Sequence, residues 1–233
     1  AFAATNQGIR SWIVMPGNAP KSKKDAVAQY GGQIILCPST QKDREETSMK
    51  IANEYGATFI HPYNQFSVIM GQATAALELI EMQPDLDFII TPVGGGGLIS
   101  GTALAAHYFS AKTVVIGAEP LGADDAFRSL ESGSIVPQNN PQTIADGLRT
   151  GLGSLTFPII KELVNEIITV TETEIITAME LFWTRTKIII EPSSAVALAA
   201  VLKSKEKFAK RKVGIIMSGG NADIHNLPFQ QKI

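Results

Sequence analysis

The stretch TPVGGGGLISG, residues 91–101, places four consecutive glycines between two apolar segments. The run DFIIT at 87–91 has the composition of a buried strand, and the segment that begins at Leu98 has the apolar spacing of a helix. Glycine weakens both kinds of element, so four together indicate a backbone that approaches another group closely. The strand, the turn and the helix form one unit of an α/β alternation that the rest of the chain continues.

Short β-rich runs alternate with longer helical patterns along the whole chain. The predicted strands are 11–15, 33–37, 57–60, 87–91, 113–118, 166–171 and 213–217. The predicted helices are 20–30, 41–55, 66–83, 97–110, 155–165, 173–187 and 192–206. This order predicts an α/β fold with parallel sheets and helices on both faces. Proline and polar residues in HPYNQF, at 61–66, predict a boundary between a small domain at 1–64 and a large domain at 65–233.

The composition argues against several classes of partner. The chain of 233 residues has 20 Lys and Arg against 22 Asp and Glu, so its net charge of -2 gives no reason to expect nucleic acid or an anionic membrane. A single cysteine, Cys37, excludes a disulfide within the chain and fits a reducing, cytoplasmic compartment. No apolar run has the length of a membrane span. We therefore expect a small-molecule ligand.

The four glycines are placed where an anion can bind. In open α/β sheets, ligands bind at the carboxyl ends of strands, and a helix N-terminus there offers free N–H groups and the positive end of a dipole. Gly94, Gly95, Gly96 and Gly97 lie between a predicted strand and a predicted helix, so their amides can form a phosphate cradle. A tight turn without a ligand is the alternative.

The glycine pattern alone leaves the kind of phosphate open. A Walker A loop needs lysine directly after its last glycine, and this stretch has none there. The dinucleotide fingerprint fits better, since Gly95-x-Gly97-x-x-Ser100 differs from it at one position and Glu119 ends the next strand. A nucleotide-dependent dehydrogenase therefore remains open on this motif.

A second glycine turn follows the last predicted strand. In VGIIMSGGNAD, residues 213–223, the strand ends at Ser218 and continues into two glycines and Asn221. Taken alone, this is equally well a left-handed turn that ends a strand. Together with the first loop, two glycine turns at strand ends can hold the two ends of one flat, phosphorylated ligand.

The motifs PVGGGGLISG, GAEP, ADD, TIADGL, IIIEPSSAVALAA and MSGGN occur in this order in pyridoxal-phosphate enzymes of the tryptophan-synthase-β-like group, fold type II. On these motifs the chain resembles the serine racemases, with the serine and threonine dehydratases close behind. The resemblance implies pyridoxal 5'-phosphate as cofactor and an enzyme that interconverts L- and D-serine and eliminates serine to pyruvate and ammonia. An L-threonine/L-serine dehydratase, the dehydrogenase and a catalytically silent binding module are the alternatives.

The resemblance also implies roles for residues around the cofactor. Gly94, Gly95, Gly96 and Gly97 would bind the phosphate, and Ser218 would face the pyridine nitrogen. Gly147 would lie against the cofactor, and Glu191 near its ring. The alternative for Glu191 is an ordinary acid at a helix start before Pro192.

A structural magnesium or calcium ion is implied at Glu119, Asp125 and the carbonyl of Ala123. Carboxylate and carbonyl oxygens suit these hard cations, which keep waters at their other positions. The alternative is a solvated acidic turn in which Asp124 or Asp125 caps the next helix.

Further positions match the regulatory and substrate contacts of the resembled family. An allosteric ATP site between the domains and across the interface of a homodimer is implied at Lys23, Ala26, Tyr30, Lys187 and Asn221. Each has an alternative reading, with Lys23 and Lys187 as solvated helix charges and Tyr30 as a domain-edge aromatic. Arg44 matches a position near the substrate carboxylate, or is a surface charge. Tyr63 stands where mammalian racemases carry asparagine, which changes the expected substrate pocket.

The two catalytic motifs of the family are not found in this sequence. The Schiff-base lysine lies in Ser-Phe-Lys and the second base, a serine, in Ser-Ser-Gly-Asn-His, and neither motif occurs in residues 1–233. The opening residues AFAATNQGIRSWIVMP read as the end of a helix entering a strand. We therefore expect both catalytic residues upstream, and both domains to lack their N-terminal parts here.

Overall fold

The computed structural model describes residues 1–229. The chain forms two compact units. The first comprises Ala1–Ile60 together with Asp223–Asn226, and the second comprises His61–Ala222 together with the described residues from Leu227 onward. Within residues 1–229 no helix combines the length and the apolar character needed to cross a bilayer.

The first unit is a small α/β layer. Its elements are α1 (Phe2–Asn6), β1 (Trp12–Pro16), α2 (Lys21–Gln29), β2 (Gln33–Cys37) and α3 (Gln41–Tyr55). The two strands pair in parallel with Trp12 opposite Gln33. Helix α3 begins at a threonine cap, where Thr40 Oγ1 accepts a hydrogen bond from the Asp43 amide at 3.1 Å, and it ends at Gly56 in the left-handed region.

The predicted strand at 57–60 is wrong. These four residues are irregular in the structure, and their backbone pairs with no other strand among residues 1–229. Ile60 is 65% exposed. A run of β-forming residues becomes a strand only when a neighbouring strand takes its hydrogen bonds, and the sequence pattern does not report that neighbour.

The second unit is built on a four-stranded parallel sheet with the strand order β5-β4-β3-β6. Its strands are β3 (Phe88–Pro92), β4 (Val114–Pro120), β5 (Glu166–Val170) and β6 (Val213–Ile215). Its helices are α4 (Phe66–Met82), α5 (Gly97–Phe109), α6 (Asp125–Ser132), α7 (Thr156–Leu163), α8 (Glu172–Thr186) and α9 (Pro192–Lys203). Thr171 and Glu174 form the capping box that begins α8. The predicted helix start at Pro192 is confirmed, since this residue occupies the first turn of α9.

Both faces of this sheet are covered by helices, which confirms the predicted α/β class. Neighbouring side chains of β3 point to opposite faces, as the pleat requires. Ile89 packs with residues of α4, α5 and α7, whereas Ile90 packs with residues of α8 and α9. Both isoleucines are fully buried. Burial of apolar surface in these two cores, one on each face of the sheet, stabilises the unit.

The parallel register brings the two glycine turns to the same edge of the sheet. Ile90 of β3 lies opposite Ile215 of β6, so Gly94 and Ser218 follow neighbouring strands by a few residues each. The loop after β4 leaves from the same edge, because Pro92 lies opposite Ala118. The candidate site is therefore at the carboxyl edge of the sheet, where open α/β folds bind ligands.

Candidate active site

The glycine loop between β3 and α5 carries four backbone N–H donors. Gly94, Gly95, Gly96 and Gly97 are all buried. No acceptor within residues 1–229 takes a hydrogen bond from any of their four N–H groups. A buried N–H without an acceptor is costly, and here the donors stand at the positive end of α5. The loop therefore fits an anion with several oxygens, such as a phosphate.

Other parts of the protein lie so close to the backbone of these glycines that a side chain would collide with them. A Cβ at Gly94 would lie 3.1 Å from the carbonyl oxygen of Gly147, and one at Gly95 would lie 2.4 Å from the ring of Tyr63. Gly96 has φ +90, and a Cβ there would lie 2.7 Å from Thr156 Oγ1. The backbone therefore approaches protein groups on several sides, and its free amides are left for a ligand.

The second glycine turn is fastened to the start of α9. The buried Ser194 hydroxyl accepts a hydrogen bond from the Gly219 amide and donates one to the Gly219 carbonyl, both at 2.7 Å. That carbonyl also accepts the Glu191 amide at 3.0 Å. The Ser218 hydroxyl lies 3.3 Å from Ser194 Oγ, and Ser218 itself is exposed. An exposed hydroxyl on a fixed backbone is available to a ligand.

Gly147 and Glu191 lie beside this turn. The Gly147 amide donates to Ser193 Oγ at 3.1 Å, which ties the loop before Leu148 to α9. A Cβ at Gly147 would lie 4.0 Å from Glu191 Oε1, and one at Gly219 would lie 2.7 Å from the same atom. Glu191 is the residue before the first turn of α9. The structure thus groups Glu191, Gly147 and the Ser218 turn at one place.

Two buried carboxyl groups lie at the start of α6. Glu119 Oε1 accepts the Ala126 amide at 3.0 Å, and Glu119 Oε2 accepts the Phe127 amide at 2.8 Å. Asp125 Oδ1 accepts Gln138 Nε2 at 2.8 Å, and Asp125 Oδ2 accepts the Leu152 amide at 3.2 Å. The carboxylate that meets the first amides of α6 is therefore that of Glu119, and neither Asp124 nor Asp125 caps the helix with its side chain.

Burial raises the pKa values of both acids above their ordinary values. Burial and the neighbouring charge of Asp125 raise the pKa of Glu119 to about 9. Burial raises the pKa of Asp125 to about 6. Ala123 is buried in the short 3₁₀ turn that lies between the two acids in the chain. Within residues 1–229 no group of three or more His, Cys, Asp and Glu side chains gathers, so a cation here would need carbonyl oxygens and waters as its other ligands.

The remaining predicted residues are divided between the two units. Lys23 and Ala26 are in α2 and Tyr30 follows it in the first unit, whereas Lys187 ends α8 and Asn221 follows the glycine turn in the second. Arg44 lies in α3, in the first unit. Its buried Nε meets no acceptor within residues 1–229, and its charge reaches Cys37. Burial raises the pKa of that thiol, and Arg44 opposes the rise.

Three hydroxyl side chains at the site escaped the sequence analysis. Thr156 bonds to the glycine loop, and Ser193 and Ser194 bond to Gly147 and Gly219. Serine and threonine are common at helix starts, so their types carry no signal by themselves. The one available clue is that Ser193 and Ser194 directly follow Glu191 and Pro192, which the motif already singled out.

Comparisons with known proteins agree with this geometry. A family model described as pyridoxal-phosphate dependent enzyme matches residues 1–219. A beta-hydroxyaspartate dehydratase of Paracoccus denitrificans is 47% identical, over 98% of this chain and 73% of that protein. A serine racemase of Dictyostelium discoideum is 48% identical, over 97% of this chain and 71% of that protein. The solved structure of maize serine racemase superposes with a TM-score of 0.92 at 44% identity, covering 96% of this chain and 70% of that one.

Proposed function

The chain belongs to the family of pyridoxal-phosphate-dependent enzymes, and from this premise we propose that the protein is a serine racemase. It interconverts L- and D-serine and, as a second outcome, eliminates water from serine to give pyruvate and ammonia. The family membership decides against the nucleotide-dependent dehydrogenase and against a catalytically silent binding module.

The observation that carries this proposal is the set of unmatched amides in the glycine loop. Gly94, Gly95, Gly96 and Gly97 would hold the phosphate through backbone N–H groups, and a buried cradle of this kind fits a phosphate ester. Pyridoxal phosphate, when bound, supplies an electron sink for negative charge at the substrate α-carbon. The glycine loop would hold the phosphate at one end of this group, and the Ser218 turn would hold the ring at the other.

The opposite end of the site would meet the ring. The Ser218 hydroxyl is exposed and fixed, so we place it at the pyridine nitrogen, with Gly147 and Glu191 beside the ring. A neutral hydroxyl does not hold that nitrogen protonated as a carboxylate would. The weaker electron sink that results suits racemisation and β-elimination better than transamination.

The test is to supply L-serine to the complete purified protein. Chiral chromatography measures D-serine, and coupling to lactate dehydrogenase measures pyruvate. The proposal requires both products and their disappearance after the cofactor is removed. Pyruvate without D-serine would instead identify a serine dehydratase, and neither product would contradict both functions.

A second candidate, dehydration of 3-hydroxyaspartate, is favoured by the similarity to the beta-hydroxyaspartate dehydratase. 3-Hydroxyaspartate has one carboxylate more than serine. A site that binds it therefore needs a second cationic side chain. Arg44 is proposed at the substrate carboxylate, and its buried Nε is a donor that meets no acceptor in the described part of the chain. Competing serine, threonine and both hydroxyaspartate diastereomers at equal concentration would rank the substrates by kcat/KM.

We further propose a magnesium or calcium ion at Glu119, Asp125 and the Ala123 carbonyl. The support is electrostatic, because two buried acids whose pKa values are raised gain stability from a nearby cation. Each carboxylate oxygen retains lone-pair capacity beyond its one protein hydrogen bond. A rise in melting temperature on adding the ion tests this site.

Regulation by ATP and a homodimer complete the proposal and rest on the resemblance described above, and a cytoplasmic location rests on the single cysteine. The nucleotide site would use Lys23, Ala26, Tyr30, Lys187 and Asn221. Serine turnover with and without ATP tests the regulation, and light scattering after size-exclusion chromatography tests the homodimer. An activity that ignores ATP, together with no change on Lys23→Ala, would remove the nucleotide site from the proposal.

A further inference from the structure

Thr156 carries a hydroxyl that bonds to the glycine loop. It is the first residue of α7 and is fully buried. Thr156 Oγ1 donates to the carbonyl oxygen of Gly95 at 2.8 Å and accepts the amide of Gly153 at 2.9 Å. A second carbonyl, that of Gly153, lies at 3.2 Å. Because the hydroxyl has one proton, the nearer Gly95 oxygen is its main acceptor.

This one hydrogen bond fixes the direction of an amide in the loop. The peptide unit is planar and trans, so the carbonyl of Gly95 and the N–H of Gly96 point in opposite directions. A carbonyl held against Thr156 turns the Gly96 N–H away from Thr156. The side chain of Thr156 also fills the space next to Gly96, where a Cβ would lie 2.7 Å from Oγ1. The loop therefore cannot rotate this peptide without losing the bond.

We propose that Thr156 is the positioning residue of the phosphate cradle, holding the Gly96 amide toward the ligand's phosphate. The inference rests on the proposed cofactor, and it adds a residue that touches neither the phosphate nor the ring. Thr156 acts through the backbone of Gly95 and Gly96. Its contribution is therefore specific to ligands that carry a phosphate.

The experiment compares two ligands that differ only in the phosphate. Equilibrium dialysis of the complete protein, stripped of cofactor, gives the dissociation constants of pyridoxal phosphate and of pyridoxal. We expect the parent protein to prefer pyridoxal phosphate by at least about 100-fold, since several amides bonded to a charged group contribute. Thr156→Val keeps the shape and removes the hydroxyl. It should lower this preference about tenfold and leave the affinity for pyridoxal unchanged.

Two control variants define the role of the hydroxyl. Thr156→Ser keeps the donor and should retain the parental preference. Ser100→Ala removes the hydrogen bond that Ser100 Oγ donates to the Thr156 carbonyl at 3.3 Å, without touching Gly95, and should also retain it. The inference would be overturned if Thr156→Val preferred pyridoxal phosphate as strongly as the parent protein does. It would also be overturned if the variant bound pyridoxal phosphate and pyridoxal more weakly by the same factor. A parent protein without preference for the phosphate would instead overturn the proposed cofactor site.

A second pair of variants makes the test independent of whether Thr156→Val folds. Thr156→Ser and Thr156→Cys are close in shape, but the thiol is a weak donor. The preference for pyridoxal phosphate should be several-fold lower in the cysteine variant than in the serine variant. Equal preferences in these two would show that the hydrogen bond to Gly95 does not set the cradle.

Discussion

The glycine loop and the acidic pair at α6 show two different ways in which a protein leaves room for a ligand. In the loop, four buried N–H groups have no acceptor within the described residues. At α6, every carboxylate oxygen of Glu119 and Asp125 already accepts a hydrogen bond. What remains unbalanced there is charge, which the raised pKa values record. The first site has amide donors without acceptors among residues 1–229, and the second has two buried acids whose charged forms burial disfavours.

The largest effect should come from a side chain in the loop. Gly96→Ala introduces a Cβ at φ +90 and 2.7 Å from Thr156 Oγ1, so the backbone must move and its amides turn. We expect the affinity for pyridoxal phosphate to fall about 100-fold or more, which corresponds to losing two hydrogen bonds to a charged group. Equilibrium dialysis and the cofactor's absorbance measure this.

Gly71→Ala is the matched control for that variant. Gly71 lies inside α4, and a Cβ there would meet nothing within 4 Å. Alanine in the middle of a helix should stabilise the protein by roughly 0.5–1 kcal/mol and leave cofactor affinity alone. A cofactor affinity in Gly96→Ala equal to that of Gly71→Ala would show that the loop is only a turn.

The next largest effect should come from Asp125→Asn. The variant removes one of the two buried carboxyl groups, and with it most of the attraction for a divalent cation. In the parent protein, a cation at about 100 times its dissociation constant should add about 2.7 kcal/mol to the free energy of unfolding. Denaturant unfolding with and without magnesium should show this gain in the parent and not in the variant.

Asp124→Asn controls for the loss of a neighbouring acid. Asp124 is partly exposed and bonds to Arg128 Nε at 2.8 Å, so its loss should cost no more than about 1 kcal/mol. It should preserve the response to magnesium. If Asp124→Asn abolished the response and Asp125→Asn did not, the ion would be assigned to the wrong acid.

The acidic pair also predicts a pH dependence in the absence of cations. The pKa of Glu119 is about 9 in the folded state against 4.5 as its ordinary value, and that of Asp125 is about 6 against 3.8. At a pH between the ordinary and the folded-state pKa of each group, the folded state binds more protons than the unfolded state. The free energy of unfolding therefore decreases as pH rises through this range. With chelator present, unfolding at about pH 5, 7 and 8 should show a decline that Glu119→Gln reduces.

Magnesium should reverse this trend, because the ion favours the charged carboxylates and competes with protons. The gain from magnesium should therefore grow as the pH rises. A free energy of unfolding that responds to pH equally in the parent and in Glu119→Gln would contradict the electrostatic account of the pair.

The smallest effect should come from Ser194→Ala at the second glycine turn. The variant removes two hydrogen bonds to Gly219, whose backbone remains held by the Glu191 amide. We expect a loss of about 1 kcal/mol in stability and a few-fold weaker binding of pyridoxal phosphate. Ser48→Ala, which removes a similar bond to a backbone carbonyl within α3, should not change the binding. Equal binding in the two variants would show that Ser194 does not support the ring end of the site.

The sequence predicted the parts of the site that depend on backbone. The glycine loop and the Ser218 turn are visible because runs of glycine interrupt strong β and α patterns, and parallel strands bring such turns to one edge. Most elements were placed within a few residues for the same reason. The strand at 57–60 failed because local residues do not reveal whether a partner strand is at hand.

The parts that the sequence did not predict are side chains that act over long distances along the chain. Thr156 is 61 residues from Gly95, and Ser194 is 25 residues from Gly219. The periodicity of helices and strands relates residues only a few positions apart, so it does not reveal such pairs. The helix cap at α6 shows the same limit, because the alternative reading of the acidic turn placed an adjacent aspartate at the helix start, and the carboxylate of Glu119 meets the helix amides instead.

The position of β6 in the sheet has a consequence for biosynthesis. Val213 pairs with Phe88, so the strand that precedes the Ser218 turn is added beside a strand made more than half the chain earlier. A ribosome delivers the glycine loop first and the Ser218 turn late, and such a distant pairing closes slowly. A nascent chain therefore holds the phosphate end of the pocket before it has the ring end, and its β3 edge stays open to other strands until β6 emerges.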